Sequence, residues 1–283
     1  MYPVLFHLGP LVVPSYGVMA AVGLLLALAL LLRTARFTHL NPNLLWNLCI
    51  FALFAALIGS RLLLLFLNWS VVRTHPAWLL GLAMVHHPLL AGVGAACALA
   101  VAAPYALAQH LPLRATADAL AAPVALALAC EQFGALLAGS GYGAETNAPW
   151  AIVYTHPLAI RWSGAPLFDP VHPVQAYAAL AFLATAFALY FLTPRRRQSG
   201  DAAGVAMIAL GAVVYFTEFF RDPEGRGSLF GGAIDGPQIA AAALVLLGAF
   251  LLSERSEERA PEPASILSTH ALEPPQERIG DSA

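Results

Sequence analysis

The chain is predicted to be an all-α polytopic membrane protein with seven transmembrane helices, its N-terminus outside and its C-terminus cytoplasmic. Three observations predict this. Of its 283 residues, 59% are hydrophobic and 11% are charged, with a mean hydropathy of +0.72, whereas a soluble domain carries about 25% charged residues. Seven apolar runs of roughly 20 residues are long enough to cross a hydrocarbon core. The arginines fall unevenly between the two sets of loops, which fixes the orientation.

The spans lie near 14–33, 44–67, 87–109, 115–138, 174–193, 203–221 and 237–253. Each must be helical, because every backbone polar group in lipid needs an internal partner. The first is not a cleavable signal, since no basic stretch precedes it and six spans follow. The second carries Arg61 about six residues before its outer end, roughly 9 Å deep at 1.5 Å per residue. The third begins at His86-His87. The fourth has Asp118 near its inner end, where a cap or interface role is expected. Glu131 lies within it, either paired with Arg61 or protonated. This span runs out into Gly139-Ser140-Gly141-Tyr142-Gly143. The fifth begins at His172-Pro173, with Gln175 and Tyr177 a turn further in. The sixth ends in Glu218 and Arg221, three apart and so on one face of a helix.

All 14 basic residues are arginine. One set of loops, with the tail, holds Arg33, Arg36, Arg114, Arg195, Arg196, Arg197, Arg255, Arg259 and Arg278. The other holds Arg73, Arg161 and Arg226. The first set is cytoplasmic by the positive-inside rule, and Arg195–Arg197 reads as a topology anchor. Residues 254–283 hold seven acidic residues and three arginines. They are rich in Pro and Glu and poor in apolar residues, and so read as a disordered cytoplasmic tail beside a membrane domain of residues 1–253.

Several chemistries find no support. Cys49, Cys97 and Cys130 fall inside spans without ligand spacing. No phosphate-binding glycine loop, zinc motif or nucleophile elbow is present. No metal, no cofactor and no nucleic-acid partner is implied.

Polar residues gather at the outer face: Arg61, His86-His87, His172, Gln175, Tyr177, the Gly139–Gly143 segment, Glu218, Arg221 and Arg226. The inner ends carry mainly arginine anchors. Arg61 has two readings, a side chain snorkelling to the headgroups or an inward-facing anion ligand. His172 and His87 likewise read as interface residues or as site residues. Guanidinium groups suit phosphate oxygens, a phospholipid is the abundant phosphate at this depth, and histidine is the default base near neutral pH.

In order along residues 1–253, several motifs resemble the bacterial prolipoprotein diacylglyceryl transferases. They are Gly9-Pro10, Pro14-Ser15-Tyr16-Gly17-Val18-Met19, Gly23, Gly59-Ser60-Arg61, Asn68-Trp69, His172-Pro173-Val174-Gln175-Ala176-Tyr177, Glu218-Phe219-Phe220-Arg221 and Gly236-Pro237-Gln238. The resemblance implies transfer of an sn-1,2-diacylglyceryl group from phosphatidylglycerol to the lipobox cysteine of a prolipoprotein signal peptide, with glycerol phosphate leaving. It implies an inner-membrane enzyme with a periplasmic active side and no metal. Carried over as candidates are His87, Glu218 and Arg221 for catalysis and Tyr16, Arg61, Gln175 and Tyr177 for substrate binding. Position along the chain adds His172 to the first group and Gly143 and Arg226 to the second.

The chain departs from the family's central signature, Gly-Arg-x-Gly-Asn-Phe-x-Asn-Gly-Glu-x-x-Gly. Glycines stand at 134, 139 and 143, but Gln132 takes the arginine position, Ala135 and Ala138 the asparagine positions, and Ser140 that of the glutamate. The family's His-Gly-Gly is His87-Pro88-Leu89 here. Two other functions follow from these departures: a noncatalytic relative that binds phospholipid or signal peptide, and a transferase of another lipid group on the same fold.

Overall fold

A computed structural model describes residues 2–8, 11–74, 88–222, 228–229 and 234–254. His86, His87, Arg226 and the tail from Arg255 onward lie outside the described residues. A short hairpin, β1 (Val4–Leu8) and β2 (Leu11–Pro14), leads into α1 (Ser15–Phe37). There follow α2 (Pro42–Leu67), a short α3 (Trp69–Thr74), α4 (Pro88–Ala108) and α5 (Leu113–Ala138). The segment between α5 and the next long helix contains β3 (Ile152–Val153), α6 (Pro157–Ser163) and β4 (Pro170–Val171). Then come α7 (Val174–Leu192), α8 (Asp201–Glu218), the paired strands β5 (Ser228–Leu229) and β6 (Ile234–Asp235), and α9 (Gly236–Ser253). Seven of the described helices are long and apolar enough to cross a membrane, and they correspond one for one to the runs read from the sequence.

The helices pack as α1 on α5, α2 on α4, α5 on α7 and α8 on α9. α5 is the hub. Its buried face is mostly alanine, with Ala119, Ala122 and Ala125 at 0% exposure, and small side chains let neighbouring backbones approach closely. Phe182, Leu189 and Leu210 from α7 and α8 fill the space this leaves.

Two boundaries differ from the sequence reading for identifiable reasons. α1 continues past Arg33 to Phe37, because arginines at its polar end extend beyond the apolar run. α8 stops at Glu218 rather than 221. Beyond it Arg221 pairs with Gly143 as an isolated antiparallel bridge, and the Ala144 N–H donates to Phe220 O at 2.9 Å. These bonds replace a further helical turn, and Asp222 precedes Pro223, a position that disfavours helix.

The end of the bundle away from this bridge is tied by Asp118. Its carboxylate accepts from the Gly200 and Ala203 N–H groups at 2.8 Å each, capping α8, and pairs with Arg196 Nε at 3.2 Å. Arg196 Nη1 also donates to Phe37 O and Thr193 O. Asp118 thus has the cap role expected of it. Arg196 does more than anchor topology: it joins the ends of α1, α5 and α7 to the start of α8.

Candidate active site

The site is built where the ends of α5 and α8 meet. Glu218 closes α8 and is 4% exposed. Arg221 Nε donates to its Oε1 at 2.9 Å and Oε2 at 3.0 Å, and Nη1 donates to Gly141 O at 3.1 Å. The expected pair therefore forms, but through a turn beyond the helix rather than along a helical face. Charge-assisted bonds of this kind are about twice as strong as neutral ones, and here they fix the guanidinium between two segments 80 residues apart in sequence.

The glycine-bearing segment after α5 is shaped to admit this contact. Gly141 adopts φ +67°, and any Cβ there would collide with Arg221 Nη1. At Gly143 a Cβ would lie 2.5 Å from His172 O and 2.6 Å from Val174 Cγ2. The absence of a side chain at Gly143 lets two backbones meet.

Gln175 supports the same segment. It is 1% exposed, and its Nε2 donates to Ser140 O at 2.8 Å and to the Tyr154 hydroxyl at 3.3 Å. It holds the glycine segment from below. Tyr154 is fully buried among Ala159, Ala165 and Val171. Burial pushes its phenol up from 10.0 to about 12, against the opposing hydrogen bond from Gln175. It therefore stays neutral as a hydrogen-bonding group at any physiological pH.

Beside Arg221 stands a second cluster. His172 Nδ1 lies 3.3 Å from the Tyr177 hydroxyl, which accepts from Trp150 Nε1 at 2.7 Å. The Phe220 ring packs edge-on to both His172 and Tyr177, at centroid distances of 5.4 and 5.9 Å. The His172 N–H donates to Ala144 O at 3.0 Å, so the imidazole is carried on the same backbone network as Arg221. Below this cluster an apolar groove of about 550 Å³ opens between α7 and α8.

Tyr16 belongs to a third cluster, between α1 and α5. Its hydroxyl donates to Glu131 Oε1 at 3.0 Å, and Gln132 Nε2 donates to Glu131 Oε2 at 2.6 Å. Glu131 thus takes Tyr16 and Gln132 as partners, where the sequence suggested either Arg61 or protonation, and Gln132 supports a carboxylate. Arg61 is half-buried on α2, whose main partner is α4. Among the described residues no three His, Cys, Asp or Glu side chains gather to hold a metal ion.

The structure thus joins Glu218 to Arg221 and His172 to Tyr177 and carries both pairs on one network. Tyr16 belongs to the α1–α5 cluster, and Arg61 stands on α2. Sequence reasoning missed Tyr154 and Trp150. No periodic pattern marks residues 144–171, and Trp150 offered only the general preference of tryptophan for membrane interfaces.

The model of the prolipoprotein diacylglyceryl transferase family matches residues 3–253. The chain belongs to this family. Among its relatives, a phosphatidylglycerol–prolipoprotein diacylglyceryl transferase of Photobacterium profundum is 29% identical over 261 residues, covering 88% of this chain and 91% of that protein. A protein of the same name from Vibrio cholerae serotype O1 is 29% identical over 260 residues, covering 88% and 90%. Another, from Clostridium tetani, is 26% identical over 257 residues, covering 89% and 97%. The match to the diacylglyceryl transferase family spans all seven long helices, so the Arg221 and His172 clusters both lie inside the shared region.

Proposed function

We propose that this chain is a phosphatidylglycerol–prolipoprotein diacylglyceryl transferase, and that Arg221 binds the donor phosphate. The observation that carries the site assignment is the guanidinium held by Glu218 and Gly141 beside an imidazole and an apolar groove. A donor lipid needs these three things together: a cation for phosphate, a base for the nucleophile and a surface for hydrocarbon.

In this reading the cysteine sulfur of the lipobox attacks the third carbon of the diacylglyceryl group. An S–C bond forms, the C–O bond to phosphate breaks, and glycerol phosphate leaves with the electron pair. Arg221 stabilises the charge that develops on the leaving oxygen. The thiol proton passes to a histidine. His172 is the described candidate: in the tautomer whose Nδ1–H donates to Tyr177, Nε2 carries the lone pair that accepts the proton. His87 is the other candidate. Arg61, Arg226 and Tyr16 are kept as further substrate-binding candidates in this reading. The arginine distribution supports an N-terminus outside and a C-terminus in the cytoplasm; in this reading the enzyme lies in the inner membrane and works on prolipoprotein signal peptides at the periplasmic face.

One observation favours a second reading, a relative that binds phospholipid without turnover. Glu131 and Gln132 form a carboxylate–amide pair at the position where the family's signature has its arginine. The test is incubation of the purified protein with phosphatidylglycerol and a lipobox peptide. The expected result is a diacylglyceryl mass gain on the cysteine, matched by glycerol phosphate release and absent from a Cys-to-Ser peptide. Bound phosphatidylglycerol without mass gain, where the Vibrio cholerae relative modifies the peptide, would favour the second reading.

A further inference from the structure

The groove between α7 and α8 says which part of a donor it takes. Its floor is Ala181, Ala212 and Val213, and its walls include Phe216 and Phe220. Among the described lining residues the polar groups other than Thr217 stand at its mouth, where Trp150 and His172 each contact the Tyr177 hydroxyl. Thr217 also lines it, but its hydroxyl donates to Val213 O at 2.8 Å, within its own helix. Below the mouth the lining thus offers no uncommitted polar side chain to an occupant. An extended peptide there would leave amide groups without partners, which is costly at membrane depth. A hydrocarbon chain loses nothing.

Depth agrees. Ala181 lies seven residues into α7 and Ala212 six before the end of α8, which is about 9–10 Å along either helix. One leaflet's share of a hydrocarbon core is about 15 Å, so the groove runs beside the upper two-thirds of a chain in that leaflet. Its top is Phe220, the residue next to Arg221.

We propose that this groove holds one acyl chain of the phospholipid donor while Arg221 holds its phosphate, and that Ala181 and Ala212 set the space for that chain. The inference rests on the transferase reading above. Both alanines are only partly covered by protein, so a larger side chain at either enters the groove rather than a packed core.

The test is Ala212→Phe, with Ala181→Phe as its partner. KM is measured for long-chain phosphatidylglycerol, for a short-chain donor whose tails end above Ala212, and for the lipobox peptide. The expected result is a rise of about tenfold or more in KM for the long-chain donor, with the other two constants unchanged. An unchanged long-chain KM, or a rise confined to the peptide, overturns the proposal; the latter would give the groove to the signal segment. A second measurement uses the unaltered protein and phosphatidylglycerol carrying a photoreactive group midway along one acyl chain. Labelling of α7 and α8 around Ala181, Ala212 and Phe216 is expected, and labelling confined to other helices overturns the proposal. If the wild type transfers nothing to any acceptor, the transferase reading fails, while the labelling pattern still decides what the groove holds.

Discussion

Arg221 Nη1 donates to the Gly141 carbonyl at 3.1 Å, so the segments just beyond two membrane helices are locked together by the side chain proposed to bind the donor phosphate. Its Nε is held by Glu218. The arginine is thereby presented in one geometry before any substrate arrives, which avoids reorganisation during the reaction.

In the proposed reading Glu218 acts by positioning Arg221. Glu218→Gln keeps its size and one acceptor but loses the charge that fixes the guanidinium. A hydrogen bond to a charged group is worth about 1.5–3 kcal/mol, so a lower unfolding temperature in detergent is expected, together with a fall of about 10- to 100-fold in kcat/KM of the folded variant. Steady-state kinetics with a phosphatidylglycerol titration checks this.

Gly143→Ala tests the backbone meeting. The added Cβ would stand 2.5 Å from His172 O, closer than real contacts allow. Overpacking of this kind costs about 1–3 kcal/mol. A lowered unfolding temperature is expected, together with reduced turnover, because both Arg221 and His172 hang on this network.

At the other end of the bundle, Asp118→Ala leaves Arg196 without its partner. Removing one member of a buried pair costs about 3–5 kcal/mol. Asp118→Ala is expected to lower the unfolding temperature strongly, and adding Arg196→Met to recover part of the loss. The comparison is made by thermal unfolding of the single and double variants, with KM for the peptide expected to be near normal in the folded fraction.

Tyr154 gives a pH signature. Its folded value of about 12 lies above its ordinary 10.0, so above pH 10 the unfolded chain gives up a proton that the folded chain keeps. The stability linked to Tyr154 is full below pH 10 and is lost as pH rises toward 12. Tyr154→Phe also removes the hydrogen bond with Gln175, worth about 1 kcal/mol. Unfolding temperatures across this range should show the variant less stable below pH 10 and the gap narrowing above it.

The membrane architecture was legible because apolar runs separated by arginine loops leave few alternatives. Seven helices stand where seven runs were read, and the Glu218–Arg221 pair was visible as charges in an otherwise apolar context. The segment between α5 and α7 was not legible. Tyr154 and Gln175 act through long-range contacts with Leu136 and Ser140, and neither periodicity nor spacing encodes such partners. Gly143 reads as part of a glycine run, but only the structure shows what backbone it admits. The Arg196–Asp118 pair escaped for the same reason: three consecutive arginines satisfy a topology rule, and nothing in sequence tells which one turns inward.

The most direct test of the central claim is glycerol phosphate release by Arg221→Ala, measured with phosphatidylglycerol and a lipobox peptide alongside the wild type and a thermal unfolding curve. The expected result is a loss of about 100-fold or more in kcat/KM, as for removal of a single oxyanion-stabilising donor, with the unfolding curve still cooperative. Release at a near-wild-type rate from the folded variant would contradict the account.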